Sequence, residues 1–319
     1  MKNIVVVGGG AGGLELVTKL GRRFRKREDI NVMLIDRNSA HLWKPLLHEG
    51  ATGSMDSGID ELNYRFHGYK RQFEFQQGTL EGVNREVKEL ILEPIHDGNG
   101  NQVLPRRSVP YDTLVMAIGS VTNDFGTKGA SEHCIFLDER KQAERFHQLM
   151  LNECLKLNSE LAVNPDATLE IAIVGAGATG VELSAELHNA AQELSAYGLR
   201  ELTNKQLHVS LFEAGPRILP ALPERIADAA KKGLEDLDVA ILTDTQVTEV
   251  KEEGLMTKAG KLIPAKLKVW AAGIKGPEFL SNIEGLESNP RNQLVVKPTL
   301  KTTNDDAIYA LGDCCSCPL

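Results

Sequence analysis

One short pattern occurs twice in this chain and constrains its fold more than any bulk property. A β-branched run breaks into spaced glycines and resumes as an apolar helix. The first copy opens the sequence: Lys2-Asn3-Ile4-Val5-Val6-Val7, then Gly8-Gly9-Gly10-Ala11-Gly12-Gly13, then Leu14, Leu16, Val17 and Leu20 at helical spacing. The second copy is Leu169-Glu170-Ile171-Ala172-Ile173-Val174, then Gly175-Ala176-Gly177-Ala178-Thr179-Gly180, then Val181, Leu183, Ala185 and Leu187. An apolar run of this kind reads as a strand buried on both faces, which belongs in a parallel sheet covered by helices. In each copy a second strand follows and ends on an acid: Asn31 to Ile35 before Asp36, and Val209 to Phe212 before Glu213. The second copy is longer between helix and strand, where Leu187 to Gln206 reads as an added helical stretch.

The spacing carries chemistry. In the order strand, Gly-x-Gly-x-x-Gly, helix, the first glycine permits the tight turn and the second lets the backbone approach a pyrophosphate. The third lets helix and strand pack closely. Gly8, Gly10 and Gly13 take these roles in the first copy, and Gly175, Gly177 and Gly180 in the second. The helix N-terminus then faces the phosphates, and an acid closing the next strand accepts hydrogen bonds from a ribose diol. Both copies keep all three glycines and the acid, so two dinucleotides are expected. The economical arrangement is a hydride donor facing a resident carrier. Glu213, with no arginine in Phe212-Glu213-Ala214-Gly215, would meet a 2'-phosphate head on, so the second site is expected to prefer NADH to NADPH. Arg217, four residues on, would only partly relax that preference.

Between the copies, Phe73 to Gln76 and Glu89 to Leu92 read as strands and Asp97-Gly98-Asn99-Gly100 as a turn, giving a β-meander. The apolar strand from Tyr111 to Ser120 ends in small residues at Gly119, and its counterpart Lys268 to Gly273 ends at Gly273. Small residues at both ends leave room for a nucleotide to lie across them. A last strand, Ala307 to Leu311, closes on Gly312-Asp313 and is expected to rejoin the first sheet. The fold expected is α/β, with two Rossmann-like domains, the second inserted in the first. The boundaries read as 1–165 with 282–319 for one domain and 166–281 for the other. A length of 319 residues agrees with two domains.

Composition then removes alternatives. The net charge is −8, which argues against a nucleic-acid partner and disfavours anionic lipid. One basic cluster, Arg22-Arg23-Phe24-Arg25-Lys26-Arg27, falls where the first helix should end, where cations suit the helix dipole. No uncharged apolar run approaches a membrane span, and the opening strand has no cleavage-site pattern, so the chain is expected in the cytoplasm. The five cysteines are odd in number. Cys314 and Cys317 have Cys-x-x-Cys spacing without a second pair, so they read as idle thiols and no metal site is expected.

The chain resembles the two-dinucleotide-binding-domain flavoproteins, and within them the type II NADH dehydrogenases, single-subunit NADH:quinone oxidoreductases of the respiratory chain. The resemblance covers essentially the whole sequence. It is most specific in His41 to Gly53, Ala178 to Leu187, Arg217-Ile218-Leu219-Pro220, Trp270 to Lys275 and Ile308 to Cys314. It implies FAD in the first unit, with Asp36 on the adenosine ribose and Asp313 on the ribityl and pyrophosphate side. It implies NADH in the second unit through Gly175, Gly177, Gly180 and Glu213. Glu182 is implied to be a proton-handling group near nicotinamide, flavin and quinone. Members of this family continue past the Gly-Asp motif into a helix lining the quinone side and a membrane-docking region, so the chain resembles a C-terminally truncated enzyme. For a full-length relative the implied location is the cytoplasmic face of the inner membrane, and a second copy of the chain is an expected partner. A soluble NADH:acceptor diaphorase and an inactive nucleotide-binding fragment remain alternatives. A disulfide reductase does not, because His41 to Gly53 contains no cysteine pair.

Overall fold

The computed structural model describes residues 1–41, 43–44, 47–53, 62–196 and 198–318. The chain divides into two compact units: Met1–Trp43, Asp60–Val121 and Ile274–Leu319 form the first, Lys44–Ile59 and Thr122–Gly273 the second.

The first unit is built on a five-stranded parallel sheet in the order Ile308–Ala310, Thr113–Met116, Lys2–Val7, Ile30–Asp36, Glu74–Gln77. Register is set with Val5 opposite both Leu114 and Met33. Val5, Val6, Leu34, Ile35, Leu114 and Met116 are wholly buried, the two-faced burial that an unalternating apolar run requires. Helix Ala11–Phe24 buries Val17 and Gly21 and carries Arg22 and Arg23 in its last turn, as the basic cluster suggested. The strand Ile308–Ala310 does rejoin this sheet, beside Thr113–Met116. An antiparallel meander is present, made of Leu80–Asn84, Glu89–Leu92 and Arg107–Pro110, whereas the strand expected in it at Phe73 to Gln76 is Glu74–Gln77, the parallel edge of the main sheet.

The second unit repeats the plan, with the order Ile135–Phe136, Leu267–Trp270, Leu169–Val174, Leu207–Phe212, Ala240–Leu242, all parallel. Helix Ala178–Ala196 absorbs most of the added helical stretch, and a single 3-10 turn, Asn204–Gln206, precedes the next strand. A three-stranded antiparallel sheet, Val247–Val250, Gly254–Thr257 and Leu262–Pro264, was not foreseen from the sequence.

The boundaries differ from those expected at 166 and 281. Ile135–Phe136 pairs with Leu267–Trp270, and helix Arg140–Leu161 packs beside it, so the chain from Thr122 belongs to the second sheet. Leu280 and Ile283 bury themselves with Val5, Leu114 and Ile308, so the chain from Ile274 belongs to the first core. Helix packing and a two-residue strand decide these edges, and neither has a periodic signature. Among the described residues no helix is long and apolar enough to cross a membrane.

Candidate functional site: two matched dinucleotide cradles

Counted from each glycine-loop strand, the fourth strands are Thr113–Met116 and Leu267–Trp270, and the strand order reverses between Lys2–Val7 and Thr113–Met116 and between Leu169–Val174 and Leu267–Trp270; open α/β sheets bind ligands at the carboxyl ends of such a reversal. Gly8, at φ +101°, turns the chain there, and its amide donates to Ile35 O at 2.8 Å. Gly175, at φ +103°, donates to Phe212 O at 2.8 Å. A β-carbon on Gly8 would fall against the Ala117 carbonyl, and one on Gly175 would stand 2.5 Å from Ala272 Cα. On Gly13 and Gly180 it would strike the carbonyl oxygens of Gly8 and Gly175 respectively. These four glycines hold strand, loop and helix together.

Gly10 and Gly177 are different. Among the described residues a β-carbon at either would meet no atom within 4 Å, and neither lies in the left-handed region. The fold therefore does not demand glycine at these positions, and what a methyl would fill is open space beside the first turn of each helix. Helix Ala11–Phe24 begins on Gly10 with no side-chain cap, leaving its orphan amides for an anion. Both cradles fit a pyrophosphate.

The two acids are also equivalent. Asp36 accepts the Gly9 amide on Oδ2 at 2.6 Å and the Asn38 amide on Oδ1 at 2.7 Å. Glu213 accepts the Ala176 amide on Oε2 at 3.0 Å and the Gly215 amide on Oε1 at 2.8 Å. Each carboxylate is thus fixed against the second residue of its own glycine loop. The first loop has two further supports that sequence reasoning missed. His41 Nδ1 lies 2.7 Å from Gly9 O, and the Tyr64 hydroxyl donates to the same oxygen at 2.7 Å. Tyr64 is buried, and burial together with the Asp36 charge raises its pKa well above the ordinary phenol value. In the second loop the Leu219 amide takes that place, donating to Ala176 O at 2.8 Å. Leu42, Pro45 and Leu46, part of the His41 to Gly53 stretch, lie outside the described residues.

The fourth strands end alike. The Ala117 amide donates to Val7 O and the Ala271 amide to Val174 O, each at 2.7 Å, and two residues later come Gly119 at φ +71° and Gly273 at φ +66°. Asp313, exposed on the 3-10 turn Gly312–Cys314, accepts the Ser120 hydroxyl on Oδ2 at 3.1 Å, so it stands beside Gly119. Glu182 stands apart from the hydrogen bonds that close the second glycine loop. It is half exposed on helix Ala178–Ala196, with Oε2 3.5 Å from Nδ1 of the buried His48. His48 sits on the short helix Leu47–Thr52, whose six residues gave the sequence reading no periodicity to detect.

Two cradles of this construction in one chain define a two-nucleotide oxidoreductase of the flavoprotein reductase type. The model of the pyridine nucleotide-disulphide oxidoreductase family matches residues 2–318. A type II NADH:quinone oxidoreductase of Haemophilus influenzae is 48% identical over 98% of this chain and 73% of its own length. One from Staphylococcus aureus is 28% identical over 98% of this chain and 74% of its length. The NDH2 of Plasmodium falciparum in complex with NADH superposes with a TM-score of 0.81 at 24% identity, over 99% of this chain and 64% of that one, and shares the fold. The chain belongs to the pyridine nucleotide-disulphide oxidoreductase family and, within it, to the type II NADH:quinone oxidoreductases.

Proposed function

We propose that the chain oxidises NADH and passes the electron pair to a quinone, with FAD held in the first unit and NADH in the second. The pair of open glycine seats at Gly10 and Gly177, each beside an acid tied to its own loop, carries this reading. Gly8, Gly10 and Gly13 shape the FAD pyrophosphate seat, Asp36 takes the adenosine ribose, and Gly119 with Asp313 borders the remainder. Gly175, Gly177 and Gly180 do the same for NADH, with Glu213 on its ribose and Gly273 at the far side of the crevice. Bound FAD supplies two-electron redox chemistry between the two substrates.

The overall change is NADH, a proton and quinone giving NAD⁺ and quinol, so one proton is drawn from the medium. Glu182 is the group proposed to deliver it. Its carboxylate is half exposed and so reaches solvent, and the neighbouring buried His48 orients Oε2. The proposed place of work is a cytoplasmic membrane surface, which is supported by the lipid solubility of quinones. The test is reoxidation of NADH-reduced protein. Rapid reoxidation by a short-chain quinone, slowed in Glu182→Gln with NADH-driven reduction unchanged, supports the reading. Reoxidation by ferricyanide but not by quinone would leave a diaphorase.

A further inference from the structure

The two cradles share their glycine turns, acid contacts and strand order, and beyond the fourth strand they differ at the glycine that faces the crevice. In the first unit a β-carbon on Gly119 would meet no atom of the described residues within 4 Å. In the second, a β-carbon on the corresponding Gly273 would stand 2.5 Å from Cζ and 2.9 Å from Cε2 of Phe125. Phe125 lays its ring over that glycine and nevertheless remains 67% exposed. Its backbone is at φ +53°, a conformation that a bulky side chain adopts only when the surroundings impose it.

The surroundings do impose it. Asn123 Oδ1 accepts the Phe125 amide at 2.9 Å, and Asp124 Oδ1 accepts the Gly126 amide at 3.1 Å. Asn123 is itself bound to the strand end, its amide donating to Gly273 O at 3.1 Å and its carbonyl accepting Trp270 Nε1 at 3.0 Å. Upstream, the Asp138 carboxylate accepts the Thr122 amide at 2.9 Å and the Thr122 hydroxyl at 3.0 Å. A strained backbone is held rigidly so that an aromatic ring projects into solvent over a glycine. Core packing does not account for this, because the ring is mostly uncovered, and among the described residues the first unit has no ring at that position.

The strand order says which part of a dinucleotide would meet it. The acid on the second strand, Glu213, takes the adenosine ribose, so the other nucleotide extends across the reversal point to the fourth strand. Gly273 lies three residues past the end of that fourth strand, Leu267–Trp270. We infer that Phe125 is the stacking platform for the nicotinamide half of NADH, a binding and positioning residue for the donor that the FAD unit lacks. The inference rests on the second unit being the NADH site. Gly273 is then required at its position because any side chain would lift the ring from its seat.

Binding to the flavin-loaded protein, its flavin first reduced with dithionite so that NADH binds without reacting, tests this, with NADH and ADP as separate probes and titration under anaerobic conditions. Phe125→Ala is expected to weaken NADH about tenfold, the usual effect of removing one aromatic stacking partner. ADP, which has no nicotinamide, is expected to stay within about twofold, and Phe125→Tyr to bind NADH about as well as the parent. Gly273→Ala is expected to reproduce the loss for NADH. If Phe125→Ala does not fold, Phe125→Leu takes its place, with the same weakening expected while Phe125→Tyr retains binding. Unchanged or tighter NADH binding in the alanine or leucine variant would overturn the inference, as would equal weakening of ADP. Parent protein that binds neither probe would instead overturn the assignment of the second unit and the platform with it.

Discussion

Replacing Gly177 with alanine adds one methyl group at a point where no atom of the described residues lies within 4 Å and where the backbone is not left-handed. Folding should be untouched or improved, because alanine at a compatible glycine position removes unfolded-state freedom worth about 0.4–1 kcal/mol. The methyl would nonetheless stand where a pyrophosphate must approach the backbone. Pushing the phosphates out loses at least two charge-assisted hydrogen bonds from helix amides, at about 1.5–3 kcal/mol each, so NADH affinity should fall by more than about a hundredfold. Gly10→Ala should act the same way on FAD: protein that folds and melts like the flavin-stripped parent but carries little bound flavin. Gly180→Ala and Gly13→Ala are the controls, since their methyl groups would strike the Gly175 and Gly8 carbonyl oxygens. Those variants should lose about 1–3 kcal/mol of stability through overpacking. Thermal melts, flavin absorbance and NADH titration read all four variants. Gly177→Ala that binds NADH as the parent does would show that no phosphate approaches this backbone, and the cradle reading would be wrong.

Three further outcomes follow from the geometry. Glu213→Arg should weaken NADH, improve NADPH and leave FAD content unchanged, as measured by parallel titrations; loss of flavin instead would show the two sites to be assigned the wrong way round. Burial, with Arg71 and Arg22 nearby, lowers the His67 pKa below 6.5, and burial lowers that of His188 too. The unfolded rings take up protons near pH 6.5 while the folded rings remain neutral to lower pH. Stability should therefore be full above that pH and decline below it until the folded rings are also protonated, and His67→Gln should flatten the decline in urea midpoints. Burial pushes the Cys134 thiol up to about 12 and the Cys154 thiol to about 11, whereas Cys317 is exposed. Iodoacetamide near pH 7.5 should accordingly label Cys317 first and leave Cys134 and Cys154 intact, as mass spectrometry would show.

Much of this fold was legible because its rules are local. Strand, glycine loop, helix and acid follow one another within about forty residues, and each glycine has a separate steric reason that the structure bears out at Gly8, Gly13, Gly175 and Gly180. The return of Ile308–Ala310 to the first sheet was legible from its apolar run and the closing Gly-Asp. What the sequence did not reveal depends on partners distant along the chain. Phe125 reads as one residue of an Asn-Asp-Phe-Gly turn until Gly273, far along the chain, is placed beneath its ring. His48 pairs with Glu182, and Tyr64 and His41 converge on Gly9 O, through contacts that no spacing rule encodes. The unit boundaries at Thr122 and Gly273 depend on a two-residue strand, too short for periodicity to mark.

The central claim is that one chain carries both a flavin site and a separate NADH site that act together. The most direct measurement is an anaerobic titration of the purified protein with NADH, following flavin absorbance. One FAD per chain, bleached by about one equivalent of NADH in the parent but retained and unbleached in Gly177→Ala, is the result expected. A colourless protein, or a flavin whose spectrum NADH does not change, would contradict it.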